Sequence, residues 1–115
     1  MKRGEVYLVN FGNKYNSEFG KIRPALIVQN DTANRNIDKV AFKGVTVIPM
    51  TTNITGGDIR VRITKRDALE KASEICINEV CTLDQSRIVS EPLTVVTAAE
   101  MDEVENKLLR HLGIR

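Results

Sequence analysis

Gly4-Glu5-Val6-Tyr7-Leu8-Val9-Asn10-Phe11 sets Val6 and Leu8 two residues apart among aromatics, the pattern of a partly buried β-strand built from residues that suit a pleated surface. The stretch that follows, Gly12-Asn13-Lys14-Tyr15-Asn16-Ser17-Glu18-Phe19-Gly20, contains two glycines and two asparagines, and neither a strand nor a helix period survives them. Ile22-Arg23-Pro24-Ala25-Leu26-Ile27-Val28-Gln29-Asn30 then reads as a second strand with its proline at the start or on an edge. Arg23, preceding that proline, is pushed to extended geometry. Asn30 to Asn36 reads as another polar loop.

The longest strand is expected over Val40 to Thr52, with Val45, Val47 and Ile48 in the core and Pro49 marking a bulge or edge. Asn53-Ile54-Thr55-Gly56-Gly57-Asp58 supplies a loop with two glycines available for positive φ. Ile59-Arg60-Val61-Arg62-Ile63 alternates, isoleucines and valine inward and arginines outward. Lys65 to Lys71 suggests one helical turn around Leu69, and Ser73 to Leu83 returns to strand with Ile75, Ile77 and Leu83 as its apolar positions. Thr97-Ala98-Ala99-Glu100 fits a capping box. Met101, Val104, Leu108 and Leu112 recur at helical spacing behind it, Arg110 and His111 occupy the final turn, and Gly113 can end the helix. Short strands followed by one terminal helix predict a mainly β fold with a C-terminal helix, a small barrel with the helix packed against it. No repeat or linker divides residues 1–115, so one domain is expected.

A hydrophobic fraction of 42% and a charged fraction of 28% over 115 residues support a packed core and exclude disorder. No stretch approaches the roughly 18 apolar residues that a bilayer span requires, and Met1-Lys2-Arg3 leads into alternation instead of an apolar signal core. A cytoplasmic protein with no membrane contact is the expectation. Cys76 and Cys81 are too few to staple a domain and read as reduced, buried thiols on opposite faces of an extended segment. One histidine beside them cannot build a zinc site of ordinary spacing, so neither metal nor cofactor is expected.

Net charge is +2 but unevenly spread. Residues 1–66 carry twelve Lys/Arg against five Asp/Glu, a net of +7; residues 67–115 carry five against ten, a net of −5. Folding the halves together polarises the surface only if the basic side chains share a face. With two tyrosines, three phenylalanines and no tryptophan, base stacking cannot dominate any affinity for nucleic acid.

Among residues that could carry chemistry, Arg23 sits where a loop meets a strand and presents a permanently charged planar fork suited to phosphate oxygens, though composition alone favours an ordinary surface arginine paired with a neighbouring carboxylate. Thr51 and Thr52, near a strand end, offer two hydroxyls that could donate to a phosphate, but threonine is also common in strands. Glu18 and Glu79 are carboxylates able to take a proton from a ribose hydroxyl or to form plain salt bridges. His111, at the helix end, suits a charge–dipole role.

The segments Lys2-Arg3-Gly4-Glu5-Val6-Tyr7, Ser17 to Asp31 with its Gly20-Lys21-Ile22-Arg23-Pro24 core, Val47-Ile48-Pro49-Met50-Thr51-Thr52 and Glu79 to Ile88 together resemble, in order and over nearly the whole chain, the MazF/PemK toxins of bacterial toxin-antitoxin pairs. The resemblance implies an SH3-like barrel shared with the gyrase-poisoning CcdB toxins, a homodimer, a cognate antitoxin, and metal-independent cleavage of single-stranded RNA by the substrate's own 2′-hydroxyl. By matching position Arg23 corresponds to the family's catalytic arginine and Thr51 to its catalytic threonine, with Glu18 and Glu79 as candidates for proton transfer. Lys14, Ser17, Lys21, Thr52 and Asn53 are the expected RNA contacts. Some family members carry an arginine and an aspartate where this chain has Cys76 and Asn78, and an arginine where it has Cys81, so those roles do not transfer. A non-catalytic gyrase poison and an inactive binding relative are the alternatives.

Overall fold

The computed structural model describes residues 1–12 and 22–114. Seven strands form one antiparallel sheet: β1 Glu5–Asn10, β2 Ile22–Ile27, β3 Gly44–Thr51, β4 Arg60–Ile63, β5 Ser73–Cys76, β6 Cys81–Asp84 and β7 Thr94–Val95. Their order is β4-β5-β3-β2-β1-β7, with β6 also paired to β3. Helix α1 spans Asp31–Arg35 and helix α2 spans Ala98–His111. The mostly β half-barrel with a C-terminal helix agrees with the fold expected from the sequence. Among the described residues, no helix is long and apolar enough to cross a membrane.

The position of Pro49 explains how β3 serves two partners on one edge. Val47 pairs with Cys81 of β6 and Met50 with Ile75 of β5, which leaves Ile48 and Pro49 opposite a short 3-10 turn, Ile77–Glu79, that bulges out between those partners. Proline has no N–H to offer there, so losing the ladder at that point costs little. The expected single strand from Ser73 to Leu83 is therefore two strands interrupted by this turn, and Cys76 and Cys81 do not share one extended segment. Cys76 is buried, Cys81 half-buried, and both are free thiols.

Two cores flank the central strands. Val6, Leu26, Ile48 and Met50 pack on one face with Val61, Ile75 and Val104 of α2. Tyr7, Val9, Ala25, Ile27, Val45 and Val47 pack on the other. Alternation over β1 thus buries both faces, whereas the sequence pattern suggested Val6 and Leu8 on one; Leu8 is only half-buried. Strands covered on both sides read as near-continuous apolar runs, which hides which face is which.

Other expectations need correction. Asn30 to Asn36 contains a helix: the Asn30 side chain accepts from the Ala33 N–H at 2.8 Å, and buried Asn34 donates to Gln29 O and Asp31 Oδ1. So short and polar a helix has no apolar stripe and is held by its caps. Val40 to Lys43 lie outside β3, because the β6 pairing ends at Gly44↔Asp84. Lys65 to Lys71 forms no helical turn; Arg66 and Leu69 exchange two backbone hydrogen bonds across a tight turn with Asp67 at φ 51°, a conformation that aspartate tolerates. Ile59, 39% exposed, precedes β4 instead of joining its inward face. On α2 the capping box is present and Val104 is buried, while Leu112, the C-cap residue, is exposed.

Candidate functional site

Strand registers bring residues from across the chain to one line. Val9 pairs with Arg23 between β1 and β2. Between β2 and β3, Ala25 pairs with Pro49, so carrying that antiparallel register two residues further sets Arg23 level with Thr51 on the same face. Thr51 pairs with Glu74 of β5, and Glu74 pairs with Arg62 of β4. Arg60, two residues from Arg62, lies on that face as well. The result is a row, Val9, Arg23, Thr51, Glu74 and Arg62, crossing five strands, with two arginines and one carboxylate on its polar part and Arg60 beside it on the same face.

Arg23 is half-buried at the start of β2. Thr51, at the C-terminal end of β3, is 7% exposed, and its Oγ1 accepts from the Asn53 N–H at 3.1 Å. A hydroxyl oxygen fixed as acceptor in this way keeps its own proton for donation to a substrate oxygen. Glu74 is buried, and its carboxylate accepts from the backbone N–H groups of Thr55 at 3.0 Å and Gly56 at 2.9 Å and from Arg60 Nη1 at 3.3 Å. Burial alone would raise its pKa, but those donors and the charges of Arg60 and Arg62 prevail and hold it below the ordinary carboxylate value.

The loop from Thr52 to Ile59 is exposed in its side chains yet tied at its backbone. Arg60 Nη1 donates to Asn53 O at 3.3 Å, and Lys107 of α2 donates to Arg60 O at 2.7 Å. Gly56 and Gly57 adopt φ of 71° and 104°, which only glycine takes without strain.

The other expected site residues are distributed differently. Asn53 joins the row through its backbone. Thr52 lines a largely apolar groove of about 340 Å³ with Leu8, Pro24, Leu69 and Leu93, and the register places that groove on the opposite face of the sheet from Arg23. Glu79 sits in the bulge between β5 and β6, beyond the far end of β5 from Thr51; burial and the Glu79 charge push up the pKa of the neighbouring Cys81 thiol. Lys14, Ser17, Glu18 and Lys21 lie outside the described residues. Sequence reasoning missed Glu74 and Arg60. The available signal was the alternating arginines beside a two-glycine loop, a charged face in need of an acid.

The class the fold defines is a mostly β half-barrel sheet with a C-terminal helix, here with a cation and a hydroxyl on one face near the ends of two strands. The family model described as the PemK-like, MazF-like toxin of type II toxin-antitoxin systems matches residues 2–112. An endoribonuclease MazF from Staphylococcus epidermidis is 34% identical over 117 residues, covering 99% of this chain and 92% of that protein. By structure, MazF from Deinococcus radiodurans superposes with a TM-score of 0.78 at 22% identity, covering 98% of this chain and 96% of the other. A mycobacterial endoribonuclease, solved in complex with its cognate antitoxin, gives 0.77 at 24% identity, covering 100% and 97%. This chain belongs to the PemK/MazF toxin family.

Proposed function

We propose that the chain is an endoribonuclease toxin that cuts single-stranded RNA at short sequence motifs without a metal ion, acts as a cytoplasmic homodimer, and is neutralised by a cognate antitoxin. The observation that carries this reading is the β2–β3 register, which ends at Ala25↔Pro49 and, extended along both strands, puts Arg23 and Thr51 on one face of the sheet. In the proposed reaction the substrate's 2′-oxygen attacks phosphorus, the P–O5′ bond breaks, and a cyclic phosphate and a 5′-hydroxyl result. Arg23 neutralises charge gathering on the phosphorane-like transition state, and Thr51 donates to a non-bridging oxygen. Glu74 is a poor base for the 2′-hydroxyl, since three donors already engage its carboxylate. Proton transfer is assigned to Glu18, with Glu79 the weaker candidate because the bulge sets it apart from Thr51. Lys14, Ser17, Lys21, Thr52 and Asn53 are assigned to RNA contact.

Family membership favours this reading over a topoisomerase poison of the same fold, which would need no aligned cation and hydroxyl. Incubation with a long RNA in EDTA, followed by mapping of the new ends, tests it. Cleavage should persist and leave 5′-hydroxyl ends. Recovery of 5′-phosphate ends, or strict dependence on magnesium, would contradict 2′-hydroxyl attack.

A further inference from the structure

We propose that Glu74 is a positioning residue for cleavage: by clamping the backbone of the loop after β3 it fixes the Asn53 N–H that orients the Thr51 hydroxyl. The inference rests on the endoribonuclease reading and deepens it. Glu74 touches no reacting atom in this account and acts only through the loop. A carboxylate so deeply buried needs its oxygens satisfied, and here the loop itself satisfies them, through Thr55 N and Gly56 N. Arg60 completes the clamp by spanning Glu74 Oε1 and Asn53 O, both at 3.3 Å. Asn53 is thus held at its carbonyl while its N–H is delivered to Thr51 Oγ1 at 3.1 Å. With that oxygen occupied as acceptor, the threonine proton points away from the loop and is available to a phosphate. The side chains of Thr52 to Asp58 remain exposed throughout, so the clamp orders a backbone whose outward groups stay free for other contacts.

Glu74→Gln nearly preserves the volume but puts an amide N–H₂ against one of the two backbone donors. We expect kcat at saturating RNA to fall roughly tenfold, as for the loss of about one orienting hydrogen bond. In a Thr51→Ala background the same substitution should change kcat by less than about twofold, because the group through which Glu74 acts is gone. General loss of folded protein would depress both backgrounds alike. Arg60→Met should follow the same non-additive pattern, serving as the second variant should Glu74→Gln fold poorly. Amide exchange on the parental protein needs no variant: Asn53, Thr55 and Gly56 should exchange slowly although all three residues are exposed. Parental kcat in Glu74→Gln, an undiminished penalty in the Thr51→Ala background, or unprotected exchange at those three amides would each overturn the proposal while leaving the endoribonuclease reading intact. A parental protein that cuts no RNA would defeat that reading and the positioning role of Glu74 in cleavage with it, whereas slow exchange would still show the clamp to be formed.

Discussion

Arg66 holds both carboxylate oxygens of Glu100, Nη1 meeting Oε2 at 2.9 Å and Nη2 meeting Oε1, while the same carboxylate accepts from the Thr97 N–H at 2.8 Å to close the capping box of α2. One side chain therefore caps the terminal helix and ties it to the Arg66–Leu69 turn beside the sheet.

That double role makes stability sensitive to acid. The bond from Arg66 and then the Thr97 backbone hold the Glu100 pKa below its ordinary 4.5 against the effect of burial. A depressed folded-state pKa contributes stability that is fully present above 4.5 and is lost as pH falls through the lower folded value. Glu74, Asp31 and Asp84 are lowered too and add to the same slope. Glu100→Gln should flatten the pH dependence of thermal unfolding below that point and cost about 1 kcal/mol at neutral pH, because the amide keeps an oxygen for the Thr97 N–H but gives up the charge-assisted pair with Arg66. An unchanged acid limb would refute the assignment.

Leu26 is fully buried, paired with Val6 on one side and Ile48 on the other, in the core that α2 covers. Leu26→Ala should cost roughly 2–5 kcal/mol, measured by denaturant unfolding. A loss under about 1 kcal/mol would mean that this core collapses around the vacancy.

Much of this architecture was legible because the deciding signals are local. Val61 and Ile63 alternate with arginines, and Thr97 with Glu100 announces a helix start. What could not be read depends on partners distant in sequence. The polarity of Asn30 to Asn36 conceals a helix secured by side-chain caps. Pro49 suggested a bulge correctly, yet the residues that bulge are Ile77 to Glu79 on the neighbouring chain segment. At the site, Arg23 and Thr51 were singled out from motif positions, and their level alignment needed the β2–β3 register. Glu74 stands out in no local pattern, since nothing nearby in the sequence says that Thr55 and Gly56 will fold back onto it.

Arg23→Ala should reduce RNA cleavage on the order of 100-fold or more, the usual cost of removing a preorganised donor to a developing charge. Thr51→Ala should cost less, because a neutral donor is the weaker contact. Gel-based rates on one RNA substrate, with folding checked by circular dichroism, decide this. An Arg23→Ala protein that cuts at the parental rate would end the mechanism.

Arg23, Arg60 and Arg62 share the face of the row and outnumber its one carboxylate, Glu74, so that face should attract phosphate and respond to salt. One chain offers only a short track for several nucleotides, and a two-fold dimer would place two such faces along a common groove. RNA affinity should then fall as salt rises, with a modest slope because few phosphates are neutralised. Arg62→Gln should weaken binding similarly for different RNA sequences and reduce the slope by about one. An acidic antitoxin segment competing for the same face should lose potency over the same salt range. Sedimentation of the isolated protein at micromolar concentration checks the assembly directly. A persistent monomer that still cleaves RNA would refute the dimeric groove, and a salt slope untouched by Arg62→Gln would remove that arginine from the RNA track.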